Sequence, residues 1–131
     1  MKNELKVARR QLSNYELNVL LPILMKGLEM KKGKTNAVTT NQIIRAMRKH
    51  GLKISGRSVC MLINHIRTND LIVGLMAASS GYYVSNNEQE LINYEDSLMD
   101  REASIRRVRM SIMRQRRAMR LQMSEKQTQL F

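Results

Sequence analysis

The chain has 131 residues, 43% hydrophobic and 4% aromatic, with 23 Lys/Arg against 11 Asp/Glu and a net charge of +12. That length suits one small domain with an appendage, and the apolar content is too high for a compositionally disordered chain. A single cysteine, Cys60, excludes an internal disulfide and a cysteine-based zinc site. The charge leaves nucleic acid, an anionic membrane surface or an acidic protein as candidate partners.

Residues 1–12 are polar and basic and are expected to be frayed. Ser13 and Glu16 form a capping-box pattern. A helix is expected from there to about Lys31, with Leu17, Leu20, Leu21, Leu24 and Leu28 at helical spacing. Pro22 should kink it or shift its start. Lys26, Lys31 and Lys32 crowd its end, and Gly33 is the expected stop. The longest apolar run, Val19–Met25, is interrupted by Pro22 and is too short to cross a bilayer.

Lys34–Val38 reads as a loop. A second capping-box pattern, Thr39 to Gln42, opens a helix to about His50 that carries Ile43, Ile44 and Met47 inward, with Gly51 as the stop. Leu52–Ser55 is a short turn. A third helix is expected from Gly56 to Thr68, ended by Asn69 and Asp70. Leu71–Met76 is a strand candidate, 77–81 a turn and Tyr82–Val84 a second strand, together a hairpin. Ser85 to Glu88 caps a last helix expected to reach Met123, about 35 residues or about 50 Å. The 11 methionines are read as filler of the core and of the last helix's seam.

The order helix, helix, turn, helix, hairpin, helix predicts a mainly α chain: a winged helix-turn-helix over 13–85, a long C-terminal helix over 86–123 and a flexible tail over 124–131. On the third helix, Val59, Leu62, Ile63 and Ile66 share one face. Arg57, Met61, Asn64 and Thr68 share the opposite one. In such a fold the second helix of the helix-turn-helix enters the major groove. Arg57, Ser58, Met61 and Asn64 are therefore the candidate base contacts, with Arg57 suited to guanine and Asn64 to adenine. Thr40, Asn41, Arg45, Arg48, Lys49, Lys53, Ser55 and Arg67 are candidate backbone contacts, which position without specifying.

Several short stretches resemble small winged helix-turn-helix DNA-binding proteins of phages and prophages. Asn36–Ile43 is similar to the opening of their helix-turn-helix. Ser58-Val59 through His65-Ile66-Arg67 is similar to their recognition helix, Gly81-Tyr82-Tyr83-Val84 to the second strand of their wing, and Glu90-Leu91 to Arg101 to the following helix. The likeness covers about residues 14–112 and implies DNA binding in phage regulation or replication. The sequence departs from that pattern in a wing tip, 77–80, without Lys or Arg, and in an Arg-rich end denser in charge.

The basic charge sits in two blocks. Residues 1–85 carry 14 Lys/Arg and 4 Asp/Glu, residues 86–100 carry 5 Asp/Glu and no Lys/Arg, and residues 101–131 carry 9 Lys/Arg and 2 Asp/Glu. In the last helix Leu91, Leu98, Ile105, Ile112 and Met119 fall seven apart. Tyr94, Arg101, Val108 and Gln115 hold the second heptad position. This is an imperfect coiled-coil seam (Leu91, Leu98, Ile105, Val108, Ile112, Met119), and a homodimer through it is expected. An acidic first half followed by a basic second half favours an antiparallel pair. Arg106, Arg107, Arg109, Arg114, Arg116, Arg117 and Arg120 can neutralise phosphates, with double-stranded DNA as the first candidate and RNA as the second. A membrane role is not expected, because the helix lacks an aromatic, strongly apolar face.

No enzyme is expected. His50, His65 and Cys60 have no ligand or catalytic spacing, and no phosphate-binding Gly-rich loop, zincin motif or nucleophile elbow occurs. Cys60 reads as a half-buried packing residue. No cofactor or metal is implied. The polar first 20 residues show no signal-peptide pattern, so a cytoplasmic location in a bacterial host is expected.

Overall fold

A computed structural model describes residues 10–128. Most of the stretch expected to fray, 1–9, and the last three residues of the expected tail lie outside the described residues. The chain divides into two units, 1–88 and 89–131.

The first unit is a winged helix-turn-helix. Ser13 and Glu16 cap its first helix reciprocally: the Ser13 amide donates to Glu16 Oε1 at 3.0 Å and the Glu16 amide to Ser13 Oγ at 3.1 Å. The helix opens with a π-turn, Glu16–Leu20, and continues as α1, Leu21–Glu29. The wide turn lies just ahead of Pro22, whose ring lacks an N–H and would crowd the carbonyl four residues back. The expected kink therefore takes the form of a π-bulge. α1 stops at Glu29, ahead of Gly33.

α2, Thr40–Lys49, carries a complete Thr39/Gln42 capping box. Its end is a Schellman motif: the Gly51 amide reaches Arg48 O at 2.9 Å and the Leu52 amide Met47 O at 3.1 Å, with Gly51 at φ 77°. α3, Gly56–Thr68, ends in the same way, with Asp70 in the left-handed position at φ 56° and the Leu71 amide on Ile66 O at 3.0 Å.

The hairpin is displaced from the expected position. β1 is Leu75–Ala78 and β2 is Gly81–Val84, paired antiparallel from Leu75↔Val84 to Ala78↔Gly81 around Ser79 and Ser80. The run Leu71–Gly74 is a turn instead of a strand, because Asp70 and Gly74 (φ 83°) both adopt positive φ and bend the chain. Nor is 34–38 a plain loop. A 3-10 turn, Lys34–Asn36, leads to Val38, which exchanges hydrogen bonds with Tyr82 at 2.9 and 2.8 Å, while Val84 bonds Lys31 and Gly33. β2 is thus lined on both edges. Gly81, at φ 119°, lies where a Cβ would come within 2.5 Å of Val38 O.

The core joins Leu20, Leu24 and Leu28 to Ile43 and Met47, to Val59, Leu62, Ile63 and Ile66, and to Ile54, Ile72, Leu75 and Val84. Met47 and Met76 are buried, whereas Met30, Met99, Met119 and Met123 are exposed. Methionine therefore fills the core less than composition suggests.

The second unit is essentially α4, Glu88–Thr128, 41 residues or about 60 Å long. It runs past Met123, so the expected tail begins as helix. Leu91 is half-buried. Ile105, Val108, Ile112 and Met119 are 69, 64, 56 and 65% exposed, and Leu98 is exposed as well. Residues seven apart drift about 20° per heptad around a straight helix, so these side chains trace a slow spiral along α4. Among the described residues, no helix is long and apolar enough to cross a membrane.

Candidate nucleic-acid interface

α3 is set by its N-terminus. Ser55 caps it, accepting from the Ser58 amide at 3.1 Å. Ser58 itself is buried, with its hydroxyl 3.1 Å from Ser55 Oγ and within hydrogen-bonding contact of Glu16. The structure thus spends Ser58 on holding α3 to the first helix.

Arg57 and Asn64 are exposed on the face opposite the core, as is Thr68, whose hydroxyl donates to Asn64 O at 2.8 Å. Met61 is half-buried. Cys60 is exposed, not half-buried as expected: at 100° per residue it falls just outside the arc of Val59, Leu62, Ile63 and Ile66. Arg57, Met61, Asn64 and Thr68 line one shallow groove of about 590 Å3 with Arg10, Gln11 and Leu12.

The candidate backbone contacts divide in two. Asn41, Arg45, Lys49 and Lys53 are exposed, and Arg67 is half-buried. Others also have work inside the fold. Arg48 Nη2 donates to Ile54 O at 3.1 Å, which fixes the turn between α2 and α3. Thr40 Oγ1 lies 3.4 Å from Tyr82 Oη, linking α2 to the wing. The turn is clamped once more by Tyr15, whose hydroxyl donates to Lys53 O at 2.9 Å and accepts from the Lys53 amide at 3.0 Å.

Behind α3 lies a buried charge that is absent from the sequence-based expectations. Glu16 is 2% exposed and pairs with Arg10, Nη2 to Oε2, at 2.8 Å. Burial pushes its pKa up. Hydrogen bonds from the Ser13 amide and from the Ser58 and Ser13 hydroxyls, with the Arg10 charge, outweigh that and hold the carboxyl below its ordinary value of 4.5. The capping box marked Glu16 as a cap. Its pairing with Arg10 and Ser58 crosses elements and left no sequence signal.

In α4, Arg106, Arg107, Arg109, Arg114, Arg116, Arg117 and Arg120 are all exposed, and Arg107 Nη2 reaches Ser104 Oγ at 3.1 Å. Among the described residues, no group of three His, Cys, Asp or Glu side chains is placed to hold a metal. Comparisons with protein-family models, with curated proteins and with solved structures return no match.

Proposed function

We propose that this chain is a non-enzymatic, cytoplasmic DNA-binding protein of phage or mobile-element type. It acts by occupying duplex DNA, as a transcription regulator or a replication accessory factor. The observation that carries this reading is the exposed face of α3. Arg57 and Asn64 share one exposed face, about two turns apart, of the helix that a winged helix-turn-helix inserts into the major groove, on a unit with a large basic excess. Arg57 and Asn64 supply sequence preference, each good bidentate pair being worth about 1–3 kcal/mol of discrimination. Arg45, Lys49, Lys53 and the Arg-rich part of α4 supply affinity, and α4 pairs antiparallel with a second copy.

Fluorescence anisotropy of the full chain on duplex DNA, single-stranded DNA and RNA across a salt series tests this. Preferred binding to duplex, weakening steeply with salt, is the expected result. Equal or tighter binding to RNA moves the activity to the Arg-rich helix.

A protein partner is the second reading, and two observations favour it. The wing tip, 77–80, carries no charge. An open groove of about 800 Å3 between α1 and α2 is floored by Leu24, Leu28, Ile43 and Met47. On this reading the chain is an assembly factor or an inhibitor of a nucleic-acid enzyme, and no nucleic acid binds even at low salt.

A further inference from the structure

We propose that Arg10 is a phosphate-binding residue of the same surface, presented beside the recognition helix by buried Glu16. This rests on the DNA-binding reading above and extends it to a segment that sequence alone assigns to a frayed terminus.

Three contacts fix Arg10. Its Nη2 lies 2.8 Å from Glu16 Oε2 and 3.4 Å from Ser58 Oγ, and its Nη1 lies 3.3 Å from Met61 Sδ. Two of these partners are on α3, 48 and 51 residues away in sequence. The pair is asymmetric. The Glu16 side chain is 3% exposed, while that of Arg10 is 37% exposed. The carboxylate is enclosed, and much of the guanidinium side chain stays in water.

A guanidinium has five N–H donors in a planar fork. One carboxylate and one hydroxyl leave donors over, and that fork matches phosphate bidentately. Arg10 also lies where a phosphate would be. It shares a groove with Arg57, Asn64 and Thr68, along the flank of α3 marked by Ser58 and Met61. When the exposed face of such a helix enters a major groove, the DNA backbone runs along its flanks. Glu16 then acts as a positioning residue: it holds the Arg10 side chain in one place before DNA arrives, which lowers the ordering cost of the contact.

The test uses the full chain on a duplex over a salt series, comparing wild type, E16Q and the double variant R10Q/E16Q. The double variant removes the ion pair without leaving a buried charge unpaired. It is expected to bind about tenfold more weakly, with the slope of log K against log salt shallower by about 1. E16Q keeps the Arg10 charge but releases its anchor, and is expected to bind more weakly than wild type, though less so than the double variant, with the wild-type slope. A second readout uses wild-type protein alone: phenylglyoxal modification of Arg10, followed by mass spectrometry, should be suppressed by saturating duplex. Wild-type affinity and slope in R10Q/E16Q overturn the proposal. So does a loss of slope in E16Q equal to that of the double variant, or modification of Arg10 undiminished by DNA. If R57Q/N64Q weakens binding while R10Q/E16Q does not, Arg10 alone is wrong. If folded wild type binds no duplex at any salt, the underlying reading fails.

Discussion

The two units solve the problem of an apolar surface in opposite ways. The winged helix-turn-helix encloses its aliphatic side chains: Leu20, Leu28, Val59, Leu62 and Ile66 are no more than 1% exposed. In α4, Ile105, Val108, Ile112 and Met119 are more than half exposed. Burial of apolar area is the main favourable term in folding, so the first unit carries its stability within one chain. The 41-residue α4 leaves a spiral of apolar side chains exposed, and burial of that stripe would add to the stability of a helix with little packing of its own. A second copy of α4 covers them in the proposed antiparallel pair. One region encloses its apolar side chains within the chain, and the other leaves them at the surface of a single helix.

Substitutions at matched apolar positions sharpen that contrast most. Leu62→Ala should lower the unfolding free energy of the first unit by about 3 kcal/mol in urea titrations followed by circular dichroism. Replacing Ile105 and Ile112 together by Asp should leave that transition in place and instead turn a dimer into a monomer in sedimentation velocity. If wild type sediments as a monomer, the contrast stands without its assembly half.

Gly81→Ala comes next. Its φ of 119° and the nearness of Val38 O leave no room for a Cβ, so a loss of about 2 kcal/mol is expected. Faster amide exchange at Tyr82 should accompany it, because the Val38 ladder opens.

Acid should act through Glu16. Its folded pKa is lowered below 4.5, so the stability it contributes is present above that value and is lost as pH falls through the folded pKa. Urea midpoints should drop below about pH 4.5, and E16Q should show a smaller drop over that range.

Tyr15→Phe is the mildest change. It frees the amide and carbonyl of Lys53 at an exposed turn where water can replace the hydroxyl, for a loss of about 1 kcal/mol.

Much of this fold was legible because its signals are local. Both capping boxes, the limits of α3 and the Gly51 stop are written within a few residues of where they act. The hairpin was misplaced because Leu71–Val73 has the composition of a strand, while the positive φ of Asp70 and Gly74 bends it into a turn. The third edge of the sheet was missed because Lys31–Val38 pairs with β2 through single bridges that need no alternating pattern. At the site, the exposed face bearing Arg57 and Asn64 followed from helical periodicity. Ser58 looked like a surface hydroxyl, since nothing local announces a buried carboxylate, Glu16, arriving from another helix. Arg10 was hidden for the same reason.

The proposed function divides the labour between two helices: α3 reads sequence and α4 adds affinity. The measurement that tests it most directly is anisotropy of three full-length proteins on a selected duplex and on a scrambled one. They are wild type, R57Q/N64Q, and a variant with Arg114, Arg116 and Arg117 changed to Gln. R57Q/N64Q should lose the preference between duplexes while keeping most scrambled-site affinity. The α4 variant should weaken on both duplexes alike, with a shallower salt slope. A preference that survives R57Q/N64Q, or that vanishes with the α4 arginines alone, would contradict it.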